Sequence, residues 1–223
     1  MMLSKCEEHG YFRGENCPVC EKKGKFLMND RELSSLSRII AGALRHFPDK
    51  LGLRMDGKGW VEISELIDAI GTSRSGFDWL KPHHIHALVE TDQRQRYQVD
   101  GGMVRATYGH TINVDTDDLP LAELDDFYYP VTEEELDMIL EGGLHPIDRN
   151  KVHLSGNIQK ALEAGKVRTD EPFILKIDGK KAMDDGIKIY HAGKDVYTTD
   201  SVDPKYISKI KDSEIKKILK ESD

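Results

Sequence analysis

The chain has no apolar run approaching the ~20 residues that a membrane-spanning helix needs, and its N-terminus lacks the apolar core of a signal peptide. A cytoplasmic protein with no membrane partner is expected. Neither GxGxxG nor GxxxxGK followed by Ser or Thr occurs, so neither a Rossmann loop nor a P-loop is available to hold a nucleotide. An excess of basic residues is missing too. The 223 residues carry a net charge of −8, which at first argues against a polyanionic partner. Yet lysine and arginine are absent from Asn113 to Glu141, where eleven acidic residues fall. That segment outweighs the net charge of the whole chain, so the remainder is net positive and can present a basic face. Cysteine is scarce as well, with three residues, all among the first twenty, in the pattern Cys6-x2-His9-x7-Cys17-x2-Cys20. Three thiolates and one imidazole fill a tetrahedral Zn²⁺ site and leave no open position, which points to a structural and not a catalytic metal.

What is present describes a globular chain: 38% hydrophobic, 32% charged and long enough for two lobes. Residues 1–25 form the expected zinc knuckle, ending in the charged stretch Glu21 to Lys25. Residues 26–112 read as three helices followed by a two-stranded ribbon. Leu33, Leu36, Ile39, Ile40, Ala43, Leu44 and Phe47 recur at helical spacing, with Asn29 and Glu32 as a capping box. Arg45 and His46 fall in the last turn before Pro48; on spacing alone they read as a cation favoured by the helix dipole and a packed or solvated imidazole. A second helix through Ile63, Leu66, Ile67 and Ile70 is expected to stop at Gly71. A third starts at Pro82. Arg96 to Val99 and Met103 to Ala106 flank Asp100-Gly101-Gly102, a hairpin signal. This is the layout of a winged helix-turn-helix, with Lys81, His83, His84, His86, Arg94, Arg96 and Arg105 around its third helix and wing. Those cations read equally well as ordinary surface charge, because such folds also contact proteins.

Residues 113–126, acidic and without clear periodicity, read as an interlobe linker. Residues 127–223 read as an α+β lobe dominated by antiparallel strands: Phe127 to Tyr129, Val152 to Leu154, Phe173 to Ile177, Gly186 to Ala192 and Val196 to Thr198. A capping box at Thr132 and Glu135 opens one helix, closed by Gly142-Gly143, and Asn157 opens another. A Lys-rich terminal helix reads as solvated surface.

Several pieces in order carry a resemblance: Leu36-Ser37-Arg38, Leu44-Arg45-His46, Gly52-Leu53, Gly59-Trp60-Val61, Val104-Arg105-Ala106, Gly109-His110-Thr111-Ile112, Gly143-Leu144, Val152-His153-Leu154-Ser155, Arg168 ahead of Pro172-Phe173-Ile174-Leu175, and Tyr197-Thr198-Thr199-Asp200. Over about Leu33 to Tyr206 the chain resembles the RNA 2'-phosphotransferases, which strip a splice-junction 2'-phosphate from tRNA. The resemblance implies a winged-helix RNA lobe packed on an ADP-ribosyltransferase-like lobe that holds NAD in the cleft. It further implies two steps. The RNA 2'-phosphate attacks the nicotinamide ribose, releasing nicotinamide; the neighbouring ribose hydroxyl then attacks phosphorus, freeing RNA and ADP-ribose 1'',2''-cyclic phosphate. The family's Arg-His-Arg-Arg tetrad would fall on Arg45, His46, Arg105 and Arg168. Arginine forks suit a crowded phosphate, and an imidazole suits protonation of the departing oxygen or phosphate contact. Tyr128, Tyr129, His153, Leu154 and Ser155 would contact NAD. Arg38 and His110 are weaker candidates for RNA. The chain departs from the family at Tyr128-Tyr129-Pro130-Val131, where a Tyr-His-Gly-Thr stretch is common, which bears on how NAD is gripped. A monomer acting on RNA bearing a 2'-phosphate is expected. Two rivals are an ADP-ribosyltransferase for nucleic-acid ends or protein, and a non-enzymatic winged-helix regulator.

Overall fold

In the computed structural model, which describes residues 2–221, the chain divides into two compact units, residues 1–116 and 117–223. It is an α+β protein whose strand pairs are antiparallel in every sheet.

The first unit begins with β1 (Leu3–Cys6), β2 (Gly10–Arg13) and β3 (Lys25–Met28), a small sheet in the order β2-β1-β3. These strands were not legible in the sequence. Leu3 and Met28, both fully buried, tie this sheet into the same core as the helices. Helix α1 (Asp30–Arg45) carries the expected stripe, with Leu33, Leu36, Ile40, Ala43 and Leu44 buried. Asn29 Oδ1 accepts the Glu32 N–H at 2.9 Å and Glu32 Oε2 accepts the Asn29 N–H at 2.8 Å, the reciprocal box that satisfies two first-turn donors. Phe47 leaves the stripe and is exposed, its ring lying over Gly42, where a Cβ would come within 2.5 Å of the phenyl.

Strand β4 (Val61–Glu62) leads into α2 (Ile63–Ser73), which runs past Gly71 instead of ending there. A glycine interrupts a helix only through its entropic cost, and no αL residue forces a stop until the chain leaves the helix at Arg74. Helix α3 (Pro82–Glu90) starts on the expected proline. Strands β5 (Tyr97–Asp100) and β6 (Met103–Ala106) form the hairpin, and β4 adds to give the order β4-β6-β5.

The second unit holds a six-stranded sheet in the order β10-β11-β8-β7-β9-β12. Its strands are β7 (Asp126–Val131), β8 (Val152–Ser155), β9 (Phe173–Asp178), β10 (Tyr190–Gly193), β11 (Val196–Thr199) and β12 (Ile207–Lys209). The helices are α4 (Glu133–Gly142), α5 (Ile158–Gly165), α6 (Gly179–Asp184) and α7 (Asp212–Glu221). The expected strand from Gly186 begins only at Tyr190, because Gly186, at φ +95, closes α6: its N–H reaches Met183 O at 3.0 Å and the Ile187 N–H reaches Ala182 O at 2.9 Å. Residues 119–122 lie along β10: Ala122 N–H reaches Ile189 O and His191 N–H reaches Pro120 O, both at 2.8 Å. The acidic segment thus carries pairing of its own. Helix α7 likewise sets Ile215, Ile218 and Leu219 against Ile158, Ala161, Ile174 and Ile210. It has a packed face, not only a solvated one.

Gly143 ends α4 with φ +84, and a Cβ there would sit 2.4 Å from Val202 O. Gly142 is helical with open space around it. Gly143→Ala is expected to destabilise by about 2 kcal/mol or more, through backbone strain and collision, whereas Gly142→Ala is neutral or stabilising by up to about 1 kcal/mol. Thermal denaturation of the two variants reads the opposite signs.

Candidate active site

The end of α1 delivers Arg45. Its backbone C=O accepts the Thr111 N–H at 3.0 Å, and the next residue, His46, meets Thr111 Oγ1 through Nδ1 at 3.1 Å. The segment Gly109 to Thr111 is therefore clamped against the helix terminus. The Arg45 guanidinium lies over the Tyr108 ring, 4.7 Å from its centroid, and 5.9 Å from that of Tyr97. Gly109 makes this possible. At φ +84 it turns the backbone back, and a Cβ there would stand 3.2 Å from Arg45 Cζ. Nε and Nη2 of Arg45 are buried with no hydrogen-bond partner among the described residues, and burial works against the charge.

Arg105, 3% exposed, projects from β6. Its Nε and Nη2 both donate to Gln98 Oε1, at 2.9 and 2.7 Å, and its guanidinium lies over Trp60 at 4.6 Å. The loop that supplies Trp60 is set by Asp56, whose Oδ1 accepts the N–H groups of Lys58 and Trp60 at 2.9 and 2.8 Å, a side-chain-stabilised turn. Both guanidinium groups lie on aromatic faces.

Between them sits His110, 2% exposed. Burial, then the charges of Arg45, His46 and Arg105, drive its pKa down to about 4, so the ring is neutral at pH 7. Its Nε2 is buried without a partner. The structure thus gathers three expected residues, Arg45, His46 and Arg105, around a fourth that the sequence ranked lower. The signal for His110 was the glycine before it, needed for the positive φ that lets the chain pass Arg45.

Other expected cations are otherwise engaged. His84 is buried, its Nδ1 accepting the Lys81 N–H at 3.0 Å, and burial and His83 bring its pKa to about 4. It is a neutral helix cap with its edge on Trp79, not a basic surface group. Arg38, Lys81, His83 and Arg94 are exposed, and His86 is half-buried.

In the second unit Arg168 forms an ion pair with Glu135, the N3 residue of α4, and Tyr129 lies in the field of both. Tyr128 is the register partner of Ser155, and His153 that of Thr198, whose Oγ1 is buried without a partner among the described residues. Pleating divides the expected set. Leu154 turns into the core and Tyr129 packs against that core, while Tyr128 packs against the cluster containing Ile158 and Ile174. Strand β7 pairs with β9 over six positions but with β8 only at Tyr128. Pro130 lies beyond that point, so its missing N–H interrupts one ladder at most.

Cys6, His9, Cys17 and Cys20 converge, with all four ligand atoms within 4.8 Å of one another. The Glu8 N–H leads the interactions that lower the Cys6 thiol to about 6, favouring the thiolate that a metal requires. The four residues fit a metal ion.

Because the unfolded chain holds its histidines near pKa 6.5 and the folded chain holds His84 and His110 near 4, the unfolded state takes up protons first as pH falls. Stability from these two rings is present above 6.5 and is lost between pH 6.5 and about 4, by on the order of a few kcal/mol each. Urea denaturation across that window should fall less steeply for His110→Asn than for the parent.

A sequence model of the family described as RNA 2'-phosphotransferase, Tpt1 / KptA family, matches residues 30–201. A protein of Methanosarcina barkeri named "Probable RNA 2'-phosphotransferase" is 39% identical over 210 residues, covering 92% of this chain and 98% of that one. One of the same name from Thermoplasma volcanium is 40% identical, over 90% of this chain and 85% of its own. "Probable RNA 2'-phosphotransferase 1" of Archaeoglobus fulgidus is 41% identical, over 92% and 93%. With that breadth of match, the chain belongs to the RNA 2'-phosphotransferase, Tpt1 / KptA family.

Proposed function

We propose that the protein removes a 2'-phosphate from RNA, of the tRNA splice-junction type, by transferring it to NAD, with nicotinamide and ADP-ribose 1'',2''-cyclic phosphate as co-products. The observation that carries this reading is the buried guanidinium of Arg45, with two nitrogens unpartnered beside Arg105, His46 and the neutral ring of His110. A phosphate with several negative oxygens supplies acceptors for these two nitrogens of Arg45.

In this reading Arg45 and Arg105 bind the 2'-phosphate and stabilise the charge that builds as phosphorus is attacked. Aromatic faces hold both forks in place before substrate arrives, so little reorganisation is needed. His46, exposed at the helix end with Nδ1 on Thr111 Oγ1, is assigned to protonate the departing RNA 2'-oxygen or to hold the phosphate. His110 donates or accepts only as a neutral ring. Arg168, paired with Glu135 in the second unit, is the fourth residue of the tetrad that the family resemblance implies. When bound, NAD supplies the ribose carbon that accepts the phosphate. Tyr128, Tyr129, His153, Leu154 and Ser155 would hold it, and the unpartnered Thr198 Oγ1 and the parting of β7 from β8 suit a polar ligand there. The three helices and the β4-β6-β5 sheet are read as a winged helix and the six-stranded sheet as an ADP-ribosyltransferase-like fold. Residues 1–25, 26–112, 113–126 and 127–223 keep their assignments as metal knuckle, RNA lobe, connecting segment and NAD lobe. The metal is read as structural Zn²⁺. A tetrahedron with Zn–S bonds of about 2.3 Å has sulfur–sulfur edges of about 3.8 Å, and Cys6 and Cys20 stand 3.7 Å apart.

With NAD and a short RNA bearing an internal 2'-phosphate, the protein should release both nicotinamide and the cyclic phosphate; nicotinamide with a stable ADP-ribose adduct and no cyclic phosphate would instead mark an ADP-ribosyltransferase. Arg45→Ala and His46→Ala are expected to cut release of dephosphorylated RNA at least 100-fold. Turnover at the parent rate by either would remove that residue from the mechanism. Metal analysis should find about one zinc per chain. Cys17→Ser should lose it, together with the β1-β2-β3 sheet and several degrees of Tm.

A further inference from the structure

A second cationic site lies away from Arg105 and His110, where the metal-bearing segment meets the turn between α3 and β5. There Arg13, Asp92, Gln93, Arg94 and Arg96 line a cavity of about 380 Å³. Asp92 gives it no net negative charge. Its carboxylate accepts the Arg96 backbone N–H at 2.7 Å and the Arg96 guanidinium at 2.7 to 3.2 Å, so this pair is internally balanced. Arg13 and Arg94 have no carboxylate partner among the described residues. Arg13 is nonetheless held in place: its Nε donates to Thr91 Oγ1 at 2.9 Å, and that hydroxyl is itself committed to Ala87 O at 2.6 Å. Gln95 adopts φ +50, closing the turn that sets Arg94 and Arg96 on either side of it. Burial presses against the charge on Arg13, a cost that a bound anion would relieve.

The cavity is tied to the candidate active site by one ring. Arg96 lies over Tyr97 at 5.2 Å and Arg45 lies 5.9 Å from the same centroid. Arg45 and Arg96 thus share one aromatic neighbour.

We propose that Arg13 and Arg94, beside the Asp92–Arg96 pair, form a second phosphate site that binds a backbone phosphodiester of the RNA, so that the segment carrying Cys6, His9, Cys17 and Cys20 takes part in gripping the strand. This rests on the proposed function only in taking the ligand to be RNA. A phosphodiester fits because planar guanidinium groups meet its two free oxygens pairwise and because a polynucleotide repeats that group at intervals along its length.

The test uses the full metal-bound chain and a fluorescent single-stranded RNA 12-mer without a 2'-phosphate, titrated across a series of salt concentrations. Arg94→Ala, whose side chain is exposed, and Arg13→Gln are compared with the parent after their melting temperatures have been matched. Each is expected to raise Kd on the order of three- to tenfold and to flatten the slope of log K against log salt by about 0.7 per lost contact. Parental affinity and slope in both variants would overturn the proposal. So would a pocket that binds inorganic phosphate in the parent while neither variant changes RNA binding, which would mark a free-anion site. If the variants lose RNA affinity but the parent releases no nicotinamide from NAD and 2'-phosphorylated RNA, the phosphate site stands and the proposed reaction falls.

Discussion

A guanidinium buried without a carboxylate sets the terms for the first unit. Taking a cation out of water costs several kcal/mol unless it is paired, and Nε and Nη2 of Arg45 have no hydrogen-bond partner among the described residues. The chain offsets part of that cost with π faces, Tyr108 and Tyr97, which attract the charge without neutralising it. Arg105 likewise lies on Trp60 and donates to the Gln98 amide oxygen. Burial, with the positive potential of Arg45 and Arg105 added to it, keeps His110 neutral. The cost left over in the free protein is the part that an anion recovers on binding, which is why the arrangement suits a phosphate better than it suits stability.

That arrangement requires a firm frame, and the frame includes the metal-bearing segment. Leu3 and Met28 place β1 and β3 in the core that holds α1, and Arg13 joins the same segment to Thr91 at the end of α3. Cys6, His9, Cys17 and Cys20 converge beside a sheet too small to bury a core of its own. In the second unit the acidic stretch has a comparable role, since residues 119–122 extend the β10 side of the sheet.

Much of the local structure was legible because it rests on interactions close in sequence. The capping boxes at Asn29 and Thr132, the first-turn Pro82, the hairpin around Gly101-Gly102 and the metal ligands all act within a few residues. Errors arose where distant partners decide. His84 looked like a surface cation and is a buried cap, and Arg96, expected along the wing among the basic side chains, is bound by Asp92. The strand expected from Gly186 starts only at Tyr190, because Gly186 at φ +95 closes the helix that precedes it.

Composition and spacing by themselves determined the helix that ends in Arg45 and His46, the hairpin that carries Arg105, the tetrahedral ligand set and the family motifs, since each is written in residues near one another. Only the tertiary structure decided that Gly109 lets the backbone pass Arg45, that burial among Arg45, His46 and Arg105 leaves His110 uncharged, and that Arg13 and Arg94 line one cavity. Burial and electrostatic potential are sums over neighbours that the chain brings from far apart, and no local pattern contains them.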